Sequence, residues 1–210
     1  MMAVLKAGGA CVHLGATQPI ARLAQIVLDS GTKVLLADPQ HSEIFQDLVE
    51  VITIAPEFLE NLHSRDPLLM VRPSNPAFVL LTSGSTRKPK GIIVEHGSLC
   101  SSSKAHGTNR KVEPHTRLLQ FAAYTFDVSV ADIFTTLQRG GCICVPSEEE
   151  RTNDLAGAIK RMNVNYGFLT PTVAGLLKPT DVPGLRTLIL GEEMLTRTIF
   201  KLEPLEWTSS

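Results

Sequence analysis

The chain has 210 residues, enough for one or two domains with a sizeable core. Apolar residues make up 43% and charged residues 20%, an ordinary globular balance that excludes disorder, collagen and coiled coil. Twenty Lys and Arg against 21 Asp and Glu advertise no affinity for nucleic acid, and apolar runs such as Ala77-Phe-Val-Leu-Leu81 fall far short of the ~20 residues of a membrane span.

Helical and strand signals alternate along the chain. Thr17 is placed to cap a helix in which Ile20, Leu23, Ala24 and Val27 repeat at helical spacing and Gly31 stops it. Lys33 to Ala37 reads as a buried strand, Ser42 to Val49 as a short helix and Val51 to Ile54 as a second strand. Asn61 to Pro76 is polar and proline-rich and reads as loop. Ala77–Leu81 and Gly91–Glu95 are strands on either side of a polar loop. Arg117–Phe121 and Cys142–Val145 are strands around a helix whose Val130, Ile133, Phe134 and Leu137 form one stripe; Leu155, Ala158, Ile159 and Met162 form another. Tyr166–Leu169 and Leu185–Leu190 are strands separated by a helix that starts near Thr170 to Thr172. The alternation predicts an α/β fold of mostly parallel sheets covered by helices. Ligands of such sheets bind beyond the carboxyl ends of the strands, where the loops after Leu81, Phe121 and Leu190 lie.

The strongest local signal is Leu80-Leu-Thr-Ser-Gly-Ser-Thr-Arg-Lys-Pro-Lys-Gly91. It gathers four hydroxyls, a glycine and two lysines, and such groups wrap and neutralise clustered anionic oxygens. Gly84 lets the backbone approach without a Cβ in the way. A solvated Ser/Thr/Lys hairpin has the same composition, and the residues alone leave both readings open. The Walker phosphate loop is excluded, because Gly-Lys-Ser/Thr is absent and no helix follows at once.

Thr82-Ser-Gly-Ser-Thr-Arg-Lys-Pro-Lys-Gly91 resembles the phosphate-binding signature of the AMP-forming adenylating enzymes, in particular the adenylation domains of fungal nonribosomal peptide synthetases. Leu5-Lys-Ala-Gly-Gly-Ala10, with Pro19, Arg22 and Leu23, resembles an early structural motif of that family. Phe126-Asp-Val-Ser129 resembles its substrate-binding turn, and Leu169-Thr-Pro-Thr172 and Leu188-Ile-Leu-Gly-Glu-Glu193 its next core segments.

The resemblance implies activation of a carboxylic acid by ATP and Mg²⁺, with pyrophosphate leaving and an acyl-adenylate retained. The acyl group then passes to the phosphopantetheine thiol of a partner carrier domain. Cations and donors fixed where charge accumulates lower the barrier of such a step. By match to the family, Thr82, Ser83, Gly84, Ser85, Thr86 and Lys90 hold the phosphates and Glu193 lies near the nucleotide. Asp127 pairs with the α-ammonium of an amino acid, although an aspartate at the start of a helix is equally a cap. Val128, Ala131, Phe168, Ile189 and Gly191 line a pocket for its side chain, and their character suggests an apolar one. No residue is assigned to a metal or to catalysis.

Arg87 and Glu192 stand where the family favours small residues, which points to weakened ATP handling. The segments that follow in relatives, including the small mobile domain with the catalytic lysine, have no counterpart here. Residues 1–210 therefore read as a partial adenylation domain with no C-terminal subdomain, and little adenylation is expected of it alone. A non-catalytic remnant and an acyl-CoA or aryl-acid ligase fragment are the competing readings.

Met1-Met-Ala-Val4 carries no basic region before an apolar stretch, so a cytoplasmic location is expected. Four cysteines make no disulfide framework, and Cys142 and Cys144 read as two small residues on one strand face. The six histidines lack a metal-binding spacing, and Glu148 to Glu150 read as a solvated turn at a helix entrance.

Overall fold

The computed structural model describes residues 1–60, 62, 71–82 and 90–193. The chain divides into two compact units, Met1–Gly97 and Ser98–Ser210.

The first unit contains α1 (Met2–Lys6), β1 (Cys11–Val12), α2 (Ile20–Ser30), β2 (Val34–Ala37), β3 (Glu50–Thr53), α3 (Pro56–Glu60), β4 (Pro76–Thr82) and β5 (Lys90–Glu95). α2 ends as its sequence predicts, with Gly31 in the left-handed conformation at φ +64°. Its start differs: Pro19, not Thr17, is the N-cap, and the Pro19 carbonyl accepts the amides of Arg22 and Leu23. Leu23 and Val27 pack on Leu35, Phe45 and Val49. The helix expected over 42–49 is a single 3-10 turn, Ser42–Phe45; Phe45 and Val49 both reach this core, and β3 begins at Glu50.

β2 and β3 pair in parallel, from Val34↔Glu50 to Ala37↔Thr53. β4 lies between β1, parallel to it, and β5, antiparallel. The antiparallel pair departs from the parallel rule for a simple reason. Only residues 83–89 separate Thr82 from its partner Lys90, too few for the crossover of about a dozen residues that parallel strands need.

The second unit takes in α4 (His96–Asn109, which begins at the boundary), β6 (Arg117–Leu119), α5 (Asp127–Gln138), β7 (Cys142–Cys144), α6 (Glu148–Asn153), α7 (Leu155–Arg161), β8 (Tyr166–Leu169), α8 (Pro171–Ala174) and β9 (Thr187–Leu190). Its four strands run parallel in the order β7-β6-β8-β9. Five of the six strand pairs among the described residues are thus parallel, as the α/β alternation predicts.

The register sorts the sheet into two faces, since laterally paired residues point the same way. One face carries Leu119, Cys144 and Leu169, and on it pack Ile159 of α7, Ala174 of α8, Leu177 and Val182. The other carries Leu118 and Tyr166, with Val112 and the half-buried Ile143 and Ile189. Cys142 and Cys144 do share a face, being paired with Arg117 and Leu119. Glu148 to Glu150 form the first turn of α6, where Ser147 and Glu150 make a reciprocal capping box.

α5 departs from its expected stripe. Val130 and Phe134 are buried, but Leu137 is 43% exposed, and Ser129, Asp132, Thr135 and Thr136 are buried instead. Close approach explains part of this. A Cβ on Gly141 would stand 2.8 Å from Thr136 Cγ2 and 2.9 Å from the Thr116 carbonyl, so the backbone passes where larger side chains do not fit. The Ser129 hydroxyl donates to the Phe126 carbonyl at 2.7 Å, which removes the cost of burying it.

Candidate functional site

Strand order decides where a ligand fits this sheet. β6 continues through α5 to β7 on one side, whereas β8 continues through α8 to β9 on the other. The loops after β6 and β8 therefore diverge, and the crevice at such a reversal is the usual ligand position of an open parallel sheet. Three segments meet that carboxyl edge: the 120–126 loop leading into α5, the Thr170–Thr172 turn into α8, and Gly191–Glu193 after β9.

Asp127 is the first residue of α5; Phe126, in extended conformation, is the N-cap. Its side chain is exposed and its Oδ1 accepts the Val128 amide at 2.8 Å. A carboxylate here is favoured by the positive end of the helix dipole. Val128 and Ala131 are half-buried on the same helix.

Phe168 and Ile189 are direct cross-strand partners in β8 and β9. Gly191 is required by its neighbour: a Cβ there would stand 2.5 Å from Phe168 Cζ. These three expected pocket residues are brought together, with the aromatic ring lying against the glycine.

Glu193 is tied across the edge. Its Oε2 accepts the Thr172 amide at 3.0 Å and the Thr172 hydroxyl at 2.6 Å. The Thr172 hydroxyl first, then its amide, holds the Glu193 carboxyl below the usual carboxylate range. Thr170 caps α8 by accepting the Val173 amide at 3.4 Å. Glu192, where the resemblance favours glycine, has φ +67°, the left-handed region that glycine occupies at least cost.

In the first unit Thr82 and Lys90 close the β4–β5 hairpin as backbone partners. Ser83, Gly84, Ser85 and Thr86 of the expected phosphate loop, and Arg87, lie outside the described residues.

One residue escaped the sequence reading. Asp132 is 4% exposed and stands 3.6 Å from Arg110 Nη1. Burial pushes its carboxyl up to about 7; Arg110 offsets part of this and Glu192 adds to it. The ion pair alone would predict the opposite shift, but 3.6 Å is too long for a hydrogen bond and desolvation prevails. The Tyr166 hydroxyl donates to the Arg110 carbonyl at 3.2 Å, linking β8 to the segment after α4. An acid five positions after Asp127 within a buried helix was the available signal. Among the described residues no three His, Cys, Asp or Glu side chains form a metal-binding group, and no helix is long and apolar enough to cross a membrane.

The family model of the AMP-binding enzymes matches residues 1–202. Nonribosomal peptide synthetase atnA of Emericella nidulans is 50% identical over 202 residues, which cover 94% of this chain and 3% of that protein. Nonribosomal peptide synthetase 8 of Aspergillus fumigatus is 45% identical over 96% of the chain and 2% of its own length. The chain thus spans a few per cent of the length of these curated relatives. Among solved structures, a nonribosomal peptide synthetase, FmoA3, bound to alpha-methyl-L-serine-AMP has a TM-score of 0.79 at 23% identity, over 93% of this chain and 23% of that one. The N-terminal domain of FACL13 from Mycobacterium tuberculosis, an inhibitor complex, has a TM-score of 0.82 at 19% identity, over 94% of this chain and 54% of that one. These two likenesses bear on the fold, which is that of the large N-terminal domain of the AMP-forming enzymes. By its family match along nearly the whole length, this chain belongs to the AMP-binding enzymes.

Proposed function

We propose that the chain is part of an amino-acid-activating adenylation domain of a nonribosomal peptide synthetase, working in the cytoplasm. The observation that carries this reading is the carboxyl edge of the parallel sheet. Asp127 begins α5, the helix that follows β6, while Phe168 and Ile189 are paired in β8 and β9 of the same sheet and Gly191 follows β9. A carboxylate recognises an α-ammonium group, and the apolar surfaces of Val128, Ala131, Phe168 and Ile189 suit an apolar side chain.

ATP is the second substrate, accompanied by Mg²⁺. The donor set Thr82, Ser83, Gly84, Ser85, Thr86 and Lys90 fits a triphosphate in chemistry: hydroxyls and free amides for the oxygens, an ammonium for the charge. Glu193 offers an acceptor toward the nucleotide. The substrate carboxylate attacks the α-phosphorus, its new O–P bond replaces the bond to pyrophosphate, and the acyl-adenylate stays bound. Lys90 stabilises the charge gathering on the departing pyrophosphate. The carrier domain of the parent synthetase then presents its phosphopantetheine thiol to take the acyl group.

Calorimetric titration tests the reading, first with ATP·Mg²⁺ and then with the proteinogenic amino acids. Saturable nucleotide binding lost in Lys90→Ala, and amino-acid binding lost in Asp127→Ala, are the expected results. Unchanged amino-acid binding in Asp127→Ala overturns the substrate class. A chain that binds no nucleotide is a non-catalytic remnant.

A further inference from the structure

A loop between a parallel strand and the next helix has no ladder partner, so its shape depends on side-chain ties. The loop from Gln120 to Phe126, which delivers the chain to Asp127, is held at its first residue by the Gln120 amide, which donates to the Cys144 carbonyl of β7 at 2.8 Å, and by side-chain ties from Arg151. Arg151 of α6 donates through Nη1 to the Phe121 carbonyl and through Nη2 to Gln120 Oε1 at 3.4 Å. Its guanidinium carbon also stands 5.6 Å from the centroid of the Phe121 ring, within cation–π reach. Gln120 is almost fully buried and uses the other end of its amide on the Ala122 carbonyl at 2.5 Å.

From there the contacts run on to the helix. The Phe126 amide donates to the Ala123 carbonyl at 3.0 Å, and the Ser129 amide and hydroxyl both donate to the Phe126 carbonyl. The far end of the tie is anchored as well. α6 is capped by Ser147 and Glu150, Glu150 pairs with Arg161 of α7, and Glu148 Oε1 lies 3.6 Å from Arg151 Nε. A planar, forked donor suits this work better than a point charge does, because it meets a carbonyl, an amide oxygen and a ring face at once.

We propose that Arg151 is a positioning residue for the amino-acid site: it sets the 120–126 loop and thereby the place at which Asp127 meets the substrate ammonium. The proposal rests on the amino-acid-activating reading above. Arg151 touches no reacting atom, so its effect belongs to the amino acid and not to the nucleotide.

The experiment compares the full chain with Arg151→Ala and Arg151→Lys in two measurements. In amide hydrogen exchange, Arg151→Ala speeds exchange across residues 121–129 about tenfold or more and leaves residues 166–190 unchanged. In calorimetry, with L-valine, L-leucine and L-phenylalanine as the amino-acid probes, the Kd of whichever saturates rises about tenfold in Arg151→Ala. The Kd for ATP·Mg²⁺ stays as in the wild type, and Arg151→Lys, which keeps the cation and one donor, recovers part of both effects. A lower melting temperature with exchange in 121–129 and amino-acid Kd unchanged overturns the proposal and leaves Arg151 a plain brace. So does an equal weakening of both ligands. A wild-type chain that binds no amino acid overturns the functional reading and the site named here with it; exchange in 121–129 then still decides whether Arg151 holds the loop.

Discussion

The two faces of the four-stranded parallel sheet are built on different principles. The face under α7 and α8 is closed by Leu119, Leu169, Ile159, Ala174 and Val182, all apolar and all buried. The face under α5 buries Tyr166 and Leu118, but α5 itself turns Ser129, Asp132, Thr135 and Thr136 inward. The first face is held by area removed from water; on the second, Ser129 bonds the Phe126 carbonyl and Asp132 pairs with Arg110, while the buried Thr135 and Thr136 hydroxyls have no hydrogen-bond partner among the described residues. The contrast makes one face tolerant of pH and the other responsive to it.

The sharpest test of the apolar face is Ile159→Ala, expected to cost about 2–5 kcal/mol in urea unfolding, equally at every pH. A cost well below 1 kcal/mol would show that this face is not the main support of the unit.

Asp132→Asn tests the other face. The folded-state pKa of Asp132 is raised to about 7, so below its ordinary value near 4 both folded and unfolded chains hold the proton. Between these values only the folded chain holds it, and stability falls as pH rises through that window, by up to about 1.4 kcal/mol per unit. Above pH 7 the loss is complete and the slope vanishes. Unfolding curves from pH 4.5 to 8 are expected to flatten in Asp132→Asn, and an identical slope in the variant would assign the pH response to another group.

Gly191→Ala is the smallest of the three, about 1–3 kcal/mol from the clash with Phe168. The same change made in a Phe168→Ala background is expected to cost much less, and a thermal-melt double-mutant cycle reads the difference. Additive costs would mean that ring and glycine do not constrain each other.

Much of this architecture was legible in the residues. The glycine stop of α2 and the strands at 34–37, 142–144 and 166–169 follow from patterning, but burial satisfies it only in part: the strand expected to be buried leaves Val34 and Leu36 exposed, and Ile20 of the α2 stripe is exposed as well. Phe168 and Ile189 were singled out through the family motifs as pocket residues; that they are cross-strand partners is visible only in the strand register. What the sequence hid follows from tertiary forces. The N-cap of α2 passed from Thr17 to Pro19 through backbone geometry. Leu137 is exposed on α5 while hydroxyl residues are buried, in part because Gly141 brings the backbone close to Thr136. Asp132 and Arg151 act through partners 22 and 30 residues away, Arg110 and Phe121, and local periodicity carries no trace of such pairs.

Glu192 joins two matters that are ordinarily separate. Its left-handed backbone is a conformation that disfavours any side chain by roughly 1 kcal/mol, and its charge makes the hidden acid on α5 hold its proton more firmly. Exchange for glycine would relax the main chain and, in the same stroke, let that acid ionise more readily. Position 192 is therefore a shared dial for shape and acidity, and a relative bearing glycine there should keep its fold to higher alkalinity than this chain does.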